Sequence, residues 1–303
     1  MCGLFGITGY GSGIRDLNDL VKELAVSSAE RGMDATGIAY NSGGSLHIYK
    51  RAKSAEHIKF DIPKGASCVL GHTRHATQGD KHKGANNHPF YGKVGGNHFA
   101  LAHNGILYND TTLRKNLNLP KSKIETDSYI AVQLMESQKV LNADSLKYMA
   151  EKVQGSFSFS VLDKDDNIYL VKGSSPLSIL HFPKQKLYAY ASTAQILWKA
   201  LIETHLFDDL KKGFAEEVEI KSGDILKIGQ NGVLSYHKFD YDDFEDMYRW
   251  WGYSVAGGSY LDDLKMVASC YGYTSDDIDN LRLEGFSLDE IEELLYTGDL
   301  LEV

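Results

Sequence analysis

Three cysteines among 303 residues are too few for a disulfide framework, and the chain reads as one for a reducing compartment. No apolar run approaches the roughly 18 residues of a membrane-spanning helix, so no membrane segment is expected. The first residues lack a charged stretch followed by an apolar one, so no secretory signal is expected and the chain is assigned to the cytoplasm. No internal repeat or low-complexity tract is present, and Walker and phosphoribosyl-binding motifs are missing. "TGYGSG" at 8–13 fails the Gly-x-Gly-x-x-Gly spacing and reads as a loop. No cofactor is expected.

Also missing is a regular βαβ rhythm. Apolar alternation marks strands at 2–9, in "SCVLGHTRHAT", in "NHFALAHNGIL" and in "KLYAYAS". Hairpins are read around 41–44, around 165–167 and at Asn231-Gly232. Helical spacing appears at 16–30, with Asp16 as N-cap, at 125–139, at 144–153 and in "TAQILWKALIE". Hairpins mixed with helices predict an α+β protein of antiparallel sheets covered by helices.

The net charge of −9 is unevenly spread. From Asp240 onward seventeen acids face three bases, a balance of −14, which leaves +5 on the first 239 residues. Residues 239–303 therefore form a separate acidic segment, with helical patterns at 242–252, 259–271, 275–283 and 287–296. Ser287 and Glu290 have capping-box spacing. Nucleic acid is an unsuitable partner for so acidic a segment; docking of a partner protein, homodimerisation and a solvated cap all fit it. Trp250 and Trp251 open it, Cys270 lies on one of its helices, and Cys68 falls in an apolar strand and reads as core.

Polar residues gather at strand ends: "ERGMDATG" (30–37), "GHTRHAT" (71–77), "NNHPF" (86–90), "AHNG" (102–105) and "ETDS" (125–128). If Met1 is removed, Cys2 carries both a thiol and an α-amine, the pairing of an N-terminal nucleophile. Asn104, with the N–H of Gly105, has the donors an acyl-transfer oxyanion needs. Arg74 can grip a carboxylate with its fork and Asp127 an ammonium, together the head group of an amino acid. Read singly, each has a plain alternative: a small residue after Met, an Asn-Gly turn, surface charges. Six histidines between 72 and 103 invite a metal, but His72-x-x-His75 lacks the helical His-Glu-x-x-His pattern, and no metal site is expected.

Together these stretches resemble the class II glutamine amidotransferases, a family of N-terminal-nucleophile (Ntn) hydrolases. "MCGLFG", "RGMDATG", "GHTRHAT", "AHNG" and "ETDS" match in order, followed by "GSSPL" (173–177) and "YAYAS" (188–192). The resemblance covers roughly 2–238, so the chain is divided into 1–238 and 239–303. It implies a four-layer αββα sandwich of two antiparallel sheets, with a small C-terminal helical appendage. It implies that Cys2 forms a γ-glutamyl thioester from glutamine, that Asn104 and Gly105 hold the oxyanion, and that Arg31 steadies the nucleophile's terminus. It implies that Arg74 and Asp127 bind the substrate head group, with Thr77 and His88 near the pocket. His75 and Tyr129 depart from the family pattern. With no sugar isomerase segment or other synthase motif here, the ammonia acceptor is expected on a separate chain, or there is none. The other readings are a hydrolase of a different γ-glutamyl amide, and a non-catalytic binding module docking through the acidic segment.

Overall fold

A computed structural model describes residues 2–76 and 78–241, and beyond them 261, 264, 265, 268, 273–286, 288, 291 and 294. The chain divides into two compact units, Cys2–Asp240 and a second that contains Tyr241–Val303.

The larger unit has strands β1 (Gly3–Gly9), β2 (Ala35–Ser42), β3 (Ser45–Arg51), β4 (Cys68–Arg74), β5 (Phe90–Val94), β6 (Asn97–Leu107), β7 (Gly155–Asp163), β8 (Ile168–Lys172), β9 (Ser178–Phe182), β10 (Leu187–Ala191), β11 (Glu216–Glu217), β12 (Asp224–Ile228) and β13 (Leu234–Lys238). Its helices are α1 (Leu17–Ser28), α2 (Asp110–Asn116), α3 (Tyr129–Glu136), α4 (Ala143–Lys152), α5 (Ala194–Ile202) and α6 (Phe207–Lys211). One sheet runs β11-β9-β10-β1-β4-β2-β3 and the other β13-β12-β8-β7-β6-β5. The pairings are antiparallel in both.

Successive side chains of a strand point to opposite faces, and here both faces of the first sheet are covered. Phe5, Ile7 and Val69 face a core shared with Leu20 and Leu24 of α1 and Leu197 of α5. Leu4, Leu70 and Tyr190 face the other way, onto Ala100, Ala102 and Leu170 of the second sheet. On the far side of that sheet, α3 packs against β5 and α4. The layers are therefore helix, sheet, sheet, helix. Ser160 of β7 and Tyr190 of β10 share a hydrogen bond of 2.6 Å between the sheets. Gly6 makes room for that tyrosine, because a Cβ there would lie 2.3 Å from its hydroxyl.

Local chemistry sets the connections. Gly43 and Gly44 have φ of 57° and 74° between the paired Ser42 and Ser45, the two-residue primed turn that right-twisted hairpins favour. Asp16 does occupy the N-cap position of α1, but with φ of 50° and no side-chain hydrogen bond to the helix. Its carboxylate instead meets Arg15 at 3.1 Å, so the capping expected of it is not made. The helix expected over 125–139 is confined to α3, since Asp127 and Ser128 turn toward β6.

In the smaller unit Ser275–Leu283 is helix α7. Thr274 accepts from the Asp277 N–H, and the Asp277 side chain accepts in return from the Thr274 N–H. Leu264, Ala268, Ile278, Leu281 and Ile291 enclose a core of their own. Ser287, Glu290, Trp250, Trp251, Cys270 and the pattern at 242–252 lie outside the described residues. No helix among the described residues is long and apolar enough to cross a membrane.

Candidate active site

Strand parity assembles the site. Gly3 pairs with Thr73 and Leu4 with His72; one step further along that register puts Cys2 opposite Arg74. Ala35 of β2 is also opposite Arg74. Leu4 and Leu70 face the space between the sheets, so Cys2, His72 and Arg74 share that inner face. On the second sheet Ala100 and Ala102 face inward, and by the same parity Asn104 does too. His72 Nε2 donates to the His103 carbonyl at 2.9 Å, tying β4 to β6 beside Asn104. The inter-sheet layer is thus apolar along most of its length and polar at one end.

Cys2 is partly exposed, and its Sγ lies 3.5 Å from the His75 carbonyl. Burial pushes the thiol pKa up, while the positive chain terminus, the His75 backbone and the Arg74 cation pull it back. The net shift is upward, so at neutral pH the sulfur is a thiol that needs a base to take its proton. Arg31 donates Nε–H to the Cys2 carbonyl at 3.2 Å.

Asn104 is fully enclosed, and neither polar atom of its amide has a hydrogen-bond partner among the described residues. Buried amides are normally satisfied; this one is enclosed, lacks a partner among the described residues and lies on the same inner face as Cys2. Gly105 has φ of 133°, and a Cβ there would fall 2.0 Å from the Ser156 carbonyl. Only glycine fits this crossing of β6 and β7. The Ile106 N–H is taken by the Ser156 hydroxyl at 3.2 Å.

Arg74 is buried and already engaged: one terminal nitrogen donates to Asn87 Oδ1 at 2.6 Å, the other to the Gln78 carbonyl at 2.6 Å and the Gly79 carbonyl at 3.2 Å. A guanidinium has five N–H groups, so two are left for a carboxylate. Asp127 accepts from the Leu107 N–H at 2.7 Å and from the Ser128 hydroxyl at 3.1 Å, and Ser128 is also in contact with His103 Nδ1 at 2.8 Å. The Asp127 charge acts on both Cys2 and Arg74. The His88 ring lies against His72 and Phe90, with centroids 4.1 Å and 4.3 Å away and planes tilted by 32° and 54°, and neither of its nitrogens has a hydrogen-bond partner among the described residues. Burial holds the His88 pKa far below the ordinary value and that of His72 at about 3, so both rings are neutral. Thr77 lies outside the described residues. Tyr129 turns its ring edge onto Phe90 at 5.5 Å. Among the described residues no three His, Cys, Asp or Glu side chains gather as a metal site requires.

The sequence reading passed over the supporting groups. Asp34 accepts from the Ala76 N–H at 2.9 Å and from Lys81 at 2.7 Å. Glu125 binds Lys83 and accepts from Asn86 at 2.9 Å and the Asp80 N–H at 3.3 Å. These two carboxylates pin the loop that follows Arg74 at both ends. Both occur in stretches singled out by sequence, "RGMDATG" and "ETDS", but nothing in those stretches shows which loop they hold.

Residues 72–199 match the family of glutamine amidotransferase domains. The glutamine–fructose-6-phosphate aminotransferase (isomerizing) of Halalkalibacterium halodurans is 29% identical over 189 residues, which are 59% of this chain and 30% of that protein. The enzyme of that name from Fusobacterium nucleatum is 26% identical over 246 residues, 77% of this chain and 37% of that protein. This chain thus spans about a third of the length of these relatives. Among solved structures, the glutamine phosphoribosylpyrophosphate amidotransferase of B. subtilis, complexed with ADP and GMP, aligns with a TM-score of 0.63 at 21% identity, covering 88% of this chain and 58% of that one. A structure described as the allosteric regulatory enzyme of purine biosynthesis aligns with a TM-score of 0.62 at 22% identity over the same shares. These two likenesses are of fold.

Proposed function

Since this chain carries a class II glutamine amidotransferase domain of the Ntn type, we propose that it hydrolyses the side-chain amide of glutamine to glutamate and ammonia. The observation that carries the reading is the unpaired, fully enclosed amide of Asn104 on the same inner face as Cys2 and Arg74.

The steps follow from the groups in place. Removal of Met1 leaves the Cys2 α-amine beside its own thiol. The amine takes the thiol proton as sulfur attacks the amide carbon. The carbonyl oxygen becomes an oxyanion, held by the Asn104 amide and the Gly105 N–H. The carbon–nitrogen bond then breaks, and the nitrogen leaves as ammonia with the proton stored on the α-amine. Water attacks the resulting thioester, releasing glutamate and restoring the thiol. Arg74 and Asp127 hold the α-carboxylate and α-ammonium of the substrate, with His88 and Thr77 beside the pocket, and Arg31 fixes the Cys2 carbonyl. The ammonia passes to an acceptor on a partner synthase, and the acidic segment is the proposed docking element.

Glutamate and ammonia release from glutamine, compared with Cys2→Ala, tests the reading. Intact mass after exposure to a diazo-ketone glutamine analogue adds a direct view of the nucleophile. Loss of Met1 and one adduct on Cys2 are expected. Normal turnover by Cys2→Ala refutes the mechanism, and turnover of other γ-glutamyl amides in preference to glutamine reassigns the substrate.

A further inference from the structure

Lys50 lies on β3, opposite Gly37. Gly37 has no side chain to fend off the His88–Pro89 segment, since a Cβ there would meet the His88 carbonyl at 2.2 Å. The Lys50 ammonium reaches that segment and donates to the Asn87 carbonyl at 2.5 Å and to the Pro89 carbonyl at 3.1 Å. His88 is the single residue between the two clamped carbonyls. Asn87, clamped through its own backbone, accepts at Oδ1 from Arg74 at 2.6 Å and donates Nδ2–H to the Lys81 carbonyl at 3.1 Å. A continuous chain of hydrogen bonds therefore runs from the Lys50 cation to the Arg74 fork, and no other side chain bonds to the carbonyls of Asn87 and Pro89 among the described residues.

We propose that Lys50 is a positioning residue for substrate: by clamping the Asn87–Pro89 backbone it orients Asn87, and through it the Arg74 guanidinium that receives the α-carboxylate. This rests on the reading of Arg74 as the head-group residue. Charge-assisted bonds of this kind are the stronger ones, and the ammonium is held at a cost: burial and the nearby Arg74 cation hold its pKa down to about 8. The half-buried ammonium also lies 5.3 Å from the centre of the Phe90 ring, and a fork aimed through Asn87 needs its acceptor fixed.

The test uses Lys50→Met and Lys50→Arg in the full chain, with two readouts. One is steady-state glutamine hydrolysis. The other is the rate at which iodoacetamide, which has no amino-acid head group, alkylates Cys2. Lys50→Met is expected to raise KM for glutamine about tenfold, with kcat within about twofold, in keeping with the loss of one charge-assisted contact. Its alkylation rate should match the parent, and Lys50→Arg should restore most of the KM. If Lys50→Met fails to fold, Lys50→Gln carries the same expectation. An unchanged KM, or a fall in kcat alone, overturns the inference and leaves the proposed activity standing. A parent protein that is alkylated at Cys2 but does not hydrolyse glutamine overturns both.

Discussion

Replacing Asn104 by leucine separates the cost of an unpaired amide from its use. The side chain is fully enclosed and both of its polar atoms lack a partner among the described residues. Leaving such a group unsatisfied costs about 1–3 kcal/mol, and an apolar group of like shape removes that cost. Leucine has the same branching as asparagine, and the inward neighbours along β6, Ala100 and Ala102, belong to the apolar inter-sheet core. Asn104→Leu is therefore expected to stabilise the fold. In a domain of this size about 1 kcal/mol moves the melting midpoint by about 2–4 °C, so a rise of at least about 2 °C is expected by scanning calorimetry. The same change removes the proposed oxyanion donor, and kcat for glutamine should fall by roughly 10²–10³ with little change in KM. Asn104→Ala, which cannot clash, should show the same loss in kcat. Stability and turnover thus move in opposite directions. A lower melting midpoint together with near-normal kcat refutes the argument, because the amide would then be holding the structure and not a transition state.

Three further outcomes follow from the geometry. Gly105→Ala forces a Cβ to 2.0 Å from the Ser156 carbonyl at φ of 133°, so it should both destabilise the protein and abolish turnover; a variant with normal activity would show that β6 and β7 can part there without harm. Asp127→Asn keeps an acceptor for the Leu107 N–H but loses the charge offered to an ammonium, so KM for glutamine should rise while a deaminated substrate analogue is bound as before; equal effects on both would reassign Asp127 to structure alone. Lys83, Asn86 and the Asp80 N–H hold the Glu125 carboxyl down to about 2, against about 4.3 in an unfolded chain. A depressed folded value means that the stabilisation is complete above the unfolded value and is lost as pH falls toward the folded one. The stability gap between parent and Glu125→Gln should thus be constant above pH about 4.5 and close by pH about 2; a gap that persists in acid would count against the assignment.

How much of this was legible in the sequence depends on the range of the interaction. The hairpin at Gly43-Gly44 and the alternation of β1 are encoded within a few residues, and the antiparallel α+β class followed from them. The resemblance supplied the αββα layering, which the two sheets and their helices display. Strands β5 and β9 escaped the reading, although Gly95-Gly96, with φ of 55° and 89° between the paired Val94 and Asn97, is the turn signal that joins β5 to β6. Alternation also says nothing about which face of β1 or β4 meets the second sheet when both faces are buried, so the inner-face grouping of Cys2, Arg74 and Asn104 could not be read from spacing. Residue type misled at Asp16, where a left-handed backbone turns a good capping side chain away from its helix.

The clearest limit is Arg74, which by residue type is a free fork for a carboxylate. In the structure three of its donors are already taken by Asn87, Gln78 and Gly79, and Asn87 is itself held by Lys50 from another strand. A lysine in an amphipathic strand and an asparagine before His-Pro both look like surface residues when read alone. Folding makes them a relay, because Gly37 leaves room for the His88–Pro89 backbone to lie against the sheet. The proposed grip of Arg74 on a substrate carboxylate thus depends on how firmly its other acceptors are fixed, and those acceptors sit on the loop that Asp34 and Glu125 pin through Lys81 and Lys83. Weakening either pin should therefore act on KM before it acts on kcat, since Asn104 stands on β6 and Cys2 directly precedes β1, touching that loop through its Sγ contact with the His75 carbonyl.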